Sequence, residues 1–423
     1  MNALTPATAE RVFYLLTITR WLPVGLVVAV VGLRPLERGL TISEITTIAA
    51  LGGVAVLALE LPTSGLADAI GRRPLLVVAA VLNVVSSLLF WWAESFAAFA
   101  ASAVLQGLFR ALDSGPLEAW YVDTVHAHRP GVDVTAELSR AGTLLGLAMA
   151  VGAVVSGLLV WWDPLPVLGS PLSLPVLLWT VLNAGHLLAT IALLREPRRP
   201  GRQAGVASAW AGAVQAPRVV VSGLRLALDN RVLGALLLVQ AAVGLAMIGF
   251  ETLVPLRLAG LLGSEASAAA LMGPVAAVGW ALFAAGAGLG GTLAARLGTA
   301  RAAALTHALM GAAVLALAAA VGPAGVAAGY LVSYALFGST APLHSALVHR
   351  EAEATNRATV LSLCSMAAVG VYSLTLPLVG LLAGATSLAW AFALLGAATL
   401  VGTLAYRSVA DAERTRDPVL LSS

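Results

Sequence analysis

Apolar runs, each long enough to cross a bilayer as a helix, recur along the chain from residue 11 to residue 407, separated by breaks rich in Arg, Pro and Gly. A helical crossing needs about 20 predominantly apolar residues. Charged and turn-forming residues set the edges, and twelve spans result: 11–33, 44–65, 73–93, 97–123, 138–162, 173–194, 231–256, 267–292, 301–321, 324–348, 358–383 and 386–407. The pattern predicts an all-α membrane protein of twelve transmembrane helices. The first run is too long for a signal-peptide core and no small-residue cleavage site precedes Arg34, so it reads as an uncleaved span.

Arginine placement predicts orientation. If the N-terminus is cytosolic, only Arg34, Arg38 and Arg257 fall on the far side and Arg20 and Arg110 within spans; all other arginines are cytosolic. The positive-inside rule then predicts a multi-pass protein of the cytoplasmic (inner) membrane with both termini inside. Trp91–Trp92 and Trp161–Trp162 fall at the outer ends of spans 3 and 5, where indole rings favour the interface.

Composition narrows the function. Of 423 residues, 59% are hydrophobic and 11% charged, and mean hydropathy is +0.92. So few charges cannot clothe a soluble protein of this length. The net charge of +3 does not imply nucleic acid, because the arginines gather in loops and form no stripe. All 24 cationic Lys+Arg residues are arginine, so the lysine of a Walker phosphate loop is missing and ATP-driven pumping is not expected. The one cysteine, Cys364, precludes an internal disulfide or a multi-cysteine metal site. No constellation of nucleophile and base points to an enzyme, and no cofactor or metal is expected.

Residues 195–230 are Arg-rich, with Pro and Gly early, and read as a cytosolic linker between an N-terminal bundle (1–194) and a C-terminal bundle (231–408), followed by a cytosolic tail (409–423). Within the linker, 219–228 fits either an interfacial amphipathic helix or a plain solvated stretch. The halves repeat. DSGPLEA (from 113) matches STAPLHS (from 339), and SGLADAIGRR (from 64) matches GTLAARLGTA (from 291), separations of 226 and 227 residues. Duplication of six spans predicts a solute site between the halves near the membrane midplane.

Residues 64–73, Ser-Gly-Leu-Ala-Asp-Ala-Ile-Gly-Arg-Arg, resemble the loop 2–3 signature of the major facilitator superfamily, commonly G-x-L-A-D-R-x-G-R-K. Leu66, Ala67, Asp68, Gly71, Arg72 and, conservatively, Arg73 match; Ser64 and Ala69 depart. In the second copy Ala295 replaces the acid, while Arg296 and Gly298 remain. The resemblance implies two pseudo-symmetric six-helix bundles and alternating access, with Asp68, Gly71, Arg72 and Arg73 as a latch between the halves. Gly71 suits a tight turn, the arginines hold the loop in the cytosol, and Asp68 suits a helix N-terminus, that of span 11 as latch or that of span 3 as a simple cap.

Charges at membrane depth cost at least about 2.5–3.5 kcal/mol each and call for a partner or a role. Arg20 lies roughly 14 Å into span 1 and Asp113 about 15 Å from the inner end of span 4, at 1.5 Å per residue, so their depths coincide. Arg110 and Asp113 share a helix face. The resemblance implies that spans 1, 4, 7 and 10 line the cavity, where Arg20, Arg110 and Asp113 are expected to cluster. Glu251 in span 7 is a candidate proton carrier along with Asp113; Glu60 and Glu118 are further candidates, each against the plainer reading of a structural ion pair. His186 and His307 read as helix-bonded histidines or titrating groups. His344 takes the repeat position of Glu118 and is a cavity candidate, as are Trp21, Phe250, Tyr334 and Tyr372, which could equally pack between helices.

The resemblance is nearest to bacterial drug:proton antiporters, the efflux members associated with multidrug resistance. Their span 5 carries G-P-x-x-G-G; here Gly152–Gly157 keeps the small residues but lacks the proline, and Ala103 stands where an Arg usually precedes Gln106-Gly107. The expected function is proton-coupled export of a small amphipathic or lipophilic compound by a monomer in a lipid bilayer. The alternative is a proton symporter that imports a nutrient.

Overall fold

The computed structural model describes residues 4–64, 70–196, 225, 229–352 and 357–416, with the backbone alone at 60–64, 357–359 and 416. Among them are twelve helical stretches long and apolar enough to cross a membrane: span 1 (Pro6–Glu37), span 2 (Ile42–Leu59), span 3 (Arg72–Trp92), span 4 (Phe96–His128), span 5 (Thr135–Trp162), span 6 (Ser173–Leu193), span 7 (Arg231–Leu262), span 8 (Glu265–Leu297), span 9 (Thr299–Ala319), span 10 (Gly322–Glu351), span 11 (Val360–Ala385) and span 12 (Leu388–Thr415). The all-helical, twelve-span expectation holds. Local chemistry sets the helix starts. Ser95, Ser264 and Ser387 each accept the backbone N–H three residues on, and Asn230 accepts those of Val232 and Leu233.

Two compact units emerge. The first is Met1–Leu40, Leu51–Ala216 and Ala269–Ala277; the second is Thr41–Ala50, Pro217–Ala268 and Val278–Ser423. Inside the first, span 1 packs on spans 5 and 6, and span 3 on spans 4 and 6. Inside the second, span 7 packs on spans 11 and 12, and span 9 on spans 10 and 12. Each pairing thus recurs six spans later, as duplication requires. Glycine sets the closest crossings. A Cβ at Gly152 would overlap the Leu22 carbonyl oxygen and lie 2.9 Å from Gly25 Cα, so spans 1 and 5 touch backbone to backbone. Five residues on, a Cβ at Gly157 would lie 3.1 Å from Gly273 Cα. The small residues of the Gly152–Gly157 stretch therefore serve close approach on two different neighbours.

Among the described residues four spans are interrupted, span 12 by a tight 3-10 turn at Thr403–Ala405. Span 1 steps between helices Pro6–Val27 and Val30–Glu37. Span 4 breaks between Phe96–Asp113 and Pro116–His126, with Ser114 extended and Gly115 left-handed at φ +90°. Span 7 widens to a π-helix over Ile248–Leu253. Pro255 explains the last: it lacks the N–H that would bond the Glu251 carbonyl in an α-helix, and the wide turn comes just before it. Span 10 carries the repeat of the span 4 sequence, with Ala341 in place of Gly115, and runs unbroken from Gly322 to Glu351 despite Pro342. The glycine permits the break in span 4, since the left-handed step strains any residue with a Cβ.

Candidate functional site

The break in span 4 places Asp113 at the last turn of one half-helix, where the partial negative end of the backbone dipole favours a cation. Arg20 of span 1 supplies it. Its Nε donates to Asp113 Oδ2 at 2.6 Å, and the two side chains are 7% and 16% exposed. The guanidinium carbon also stands 4.3 Å from the Phe109 ring centroid and 4.8 Å from that of Trp21, so aromatic faces and carboxylate share the charge. Next to Arg20, Thr19 Oγ1 is 2.9 Å from His186 Nδ1 of span 6, and His186 lies within electrostatic reach of both Arg20 and Asp113. Further into the same unit, Asn83 donates to Asn183 at 3.1 Å, and Ser86 of span 3 bonds both Ser102 and Gln106 of span 4. Such polar contacts hold helices together where lipid offers no competing partner.

The structure brings Arg20, Asp113 and Trp21 together but not Arg110, whose side chain is exposed and forms no ion pair with Asp113. Glu118 is exposed in the first turn of Pro116–His126. The side chain of Glu60 and the whole of Asp68 lie outside the described residues.

A second constellation occupies the second unit. Glu251 sits in the π-helix and accepts the Tyr334 hydroxyl at 3.2 Å; Thr252, next in the chain, bonds the Tyr372 hydroxyl at 2.7 Å. Around them Tyr334 meets Tyr330, Trp280 and Phe250, with ring centroids 4.6, 5.9 and 5.2 Å away. Phe250 is fully buried among these rings. His344 is buried as well: its Nδ1 lies 3.0 Å from the Tyr406 hydroxyl, whose ring is edge-on to His307.

The turn before span 3 has a feature that sequence reasoning missed. Gly71 adopts φ +104°, and the helix it starts presents the N–H groups of Arg72 and Arg73 to Glu196, at 3.2 and 3.3 Å. Arg72 pairs with Asp123, and Arg73 donates to the Ile191 carbonyl at 3.0 Å. In the second unit Gly298 adopts φ +83°, and the helix after it presents the N–H of Ala300 to Glu413 at 3.0 Å, with Arg350 on the other carboxylate oxygen at 2.7 Å. The only signal available was an acid shortly after spans 6 and 12, too common to single out.

No curated protein is matched by the sequence. The overall chain is similar to the crystal structure of the nucleoside transporter NupG, at TM-score 0.75 and 12% identity, covering 95% of this chain and 98% of that one. It is similar to the peptide transporter POT in complex with sulfate at TM-score 0.70 and 14% identity, covering 96% and 94%. A POT family transporter in complex with 5-aminolevulinic acid matches at TM-score 0.64 and 12% identity, covering 94% of each chain. At these identities the likeness is one of fold. Residues 13–342 match the family model described as Major Facilitator Superfamily, and the chain therefore belongs to the major facilitator superfamily of transporters.

Proposed function

We propose that the protein is a proton-coupled secondary transporter of a small amphipathic organic solute, working as a monomer by alternating access between two six-span halves, 1–194 and 231–408, joined by the linker 195–230. The observation that carries this is the Arg20–Asp113 pair at the interruption of span 4. Discontinuous helices free backbone groups for solutes and ions, and a buried acid held by a cation is a group that a proton can release. Glu251, set in the wide turn of span 7 against Tyr334, is the second candidate acid. Trp21 and Tyr372 join these residues as cavity candidates. The Arg-rich loops support an orientation with both termini in the cytosol and the chain in the inner membrane. The Gly71–Arg73 turn, with Asp68, is then a cytosolic latch.

Direction divides into two readings. Efflux by antiport follows from the resemblance to drug:proton antiporters. Uptake by symport is the alternative, and the structural neighbours, a nucleoside and a peptide transporter, support testing small metabolites as its solutes. The test is flux by the purified chain in liposomes under an imposed pH gradient, screening lipophilic cations, aryl carboxylates, nucleosides and dipeptides. Accumulation that reverses with the gradient supports proton coupling, and the sign of the response assigns symport or antiport. Flux of a bound solute that ignores the gradient overturns it.

A further inference from the structure

Arg20 holds more hydrogen-bonding capacity than its surroundings use. Its Nε is occupied by Asp113, but Nη1 is buried with no partner among the described residues, on a side chain only 7% exposed. A guanidinium presents its donors in a planar fork suited to two oxygens of one carboxylate, and here its carbon stands close to the rings of Trp21 and Phe109. Asp113 meets one prong.

We propose that Arg20 is the anchor for the carboxylate of an amphipathic organic anion, which takes the place of Asp113 once that acid is protonated. The inference rests on the proton-coupled reading above and deepens its symport branch. Charge balance drives the exchange. The resting pair is neutral. A proton on Asp113 leaves one positive charge in an apolar setting, and an anion on Arg20 restores neutrality. Proton and anion therefore bind together, while either alone leaves a net buried charge. The adjoining, partly exposed ring of Trp21 supplies apolar surface for the body of the solute.

Other charged groups on the packed elements are placed elsewhere. Arg34 pairs with Glu37 at 2.6 Å, Arg72 with Asp123, and Arg140 with Glu10 at 3.8 Å. Arg110 and Glu118 are exposed, and Glu137 lies in the first turn of span 5. His186, bonded to Thr19, is the one further titratable group beside the pair among the described residues.

The test uses the purified full-length chain, the probes cinnamate and octanoate, and cinnamamide and octylammonium as controls of similar size. Ligand-induced thermal stabilisation is read at pH 5.5 and 7.5. The two carboxylates should stabilise the protein and bind more tightly at the lower pH, whereas the amide and the ammonium should not. Arg20→Lys should weaken carboxylate binding by about tenfold or more, because an ammonium lacks the fork. Asp113→Asn, which keeps the shape of the side chain, should bind the carboxylates with equal affinity at both pH values. His186→Gln should retain the pH dependence. Equal or tighter binding of the amide or the ammonium, or no stabilisation by either carboxylate, overturns the inference. A gradient-driven flux confined to neutral or cationic solutes would sink the anion site and leave proton-coupled transport standing; carboxylates that bind but never respond to the gradient would do the reverse.

Discussion

Glu196 and Glu413 do the same work in the two halves of the chain: each lies near the C-terminal end of the sixth span of its half, Glu196 just past it and Glu413 in its last turn, and reaches back to the first amides of a helix that begins after a positive-φ glycine. The helix N-terminus carries partial positive charge and unpaired N–H groups, and a carboxylate answers both. Replacing either acid by Gln should cost about 1 kcal/mol. The two losses should add, since the partners of the two carboxylates among the described residues are distinct. Denaturation of the single and double variants in detergent checks this; a double variant that loses far more than the two singles combined would show that the caps act as one unit.

Breaking the buried pair should be harsher. Arg20→Ala leaves Asp113 without its cation and should destabilise the protein by about 3 kcal/mol. The double variant Arg20→Ala with Asp113→Ala should recover part of that stability while transporting nothing under a proton gradient. Thermal unfolding and liposome flux read the two effects separately; full transport by the double variant would remove the pair from the mechanism.

At Gly115 the nearest heavy atoms leave room for a methyl group, so only its backbone conformation demands glycine. Gly115→Ala should therefore cost about 1–2 kcal/mol or mend the helix break, and either way shift Asp113 relative to Arg20. We expect transport to fall steeply. Ala341→Gly at the equivalent place in span 10 should cost only about 1 kcal/mol and leave the helix continuous. Transport assays paired with structures of both variants decide the point.

Gly152→Ala should separate spans 1 and 5, because the added Cβ would meet the Leu22 carbonyl and Gly25. A loss of about 1–3 kcal/mol is expected. Gly146→Ala, nearer the start of the same span and with no atom within 4 Å of the new Cβ, should be neutral or mildly stabilising. Equal melting temperatures for the two variants would refute the close crossing.

Much of the fold was legible because the bilayer imposes length and polarity on every span, and no tertiary contact has to be known to count them. The pairing of Arg20 with Asp113 was legible for a similar reason: depth follows from the distance along a helix to its charged end. Arg110 was misjudged because a shared helix face with Asp113 fixes neighbourhood, not partner, and its side chain is exposed. The span 4 break is written in Ser114-Gly115-Pro116, yet Thr340-Ala341-Pro342 at the repeat position stays helical: glycine permits the left-handed step without compelling it, and the motif alone leaves the outcome open. The wide turn at Glu251 had Pro255 as its mark. His344, expected by repeat symmetry to face a cavity, is instead buried against Tyr406, a contact that no spacing encodes.

The Arg20–Asp113 bond joins residues 93 positions apart, and that separation has a consequence for biogenesis. At about 5–20 residues per second, Arg20 is synthesised roughly five to twenty seconds before its acid. During that interval a guanidinium must be tolerated in a newly inserted helix, by stretching toward the headgroups or by lingering beside the insertion machinery. Emergence of span 4 ends this waiting period, so a nascent chain stalled short of residue 113 should be the form most readily recognised and cleared by membrane quality control.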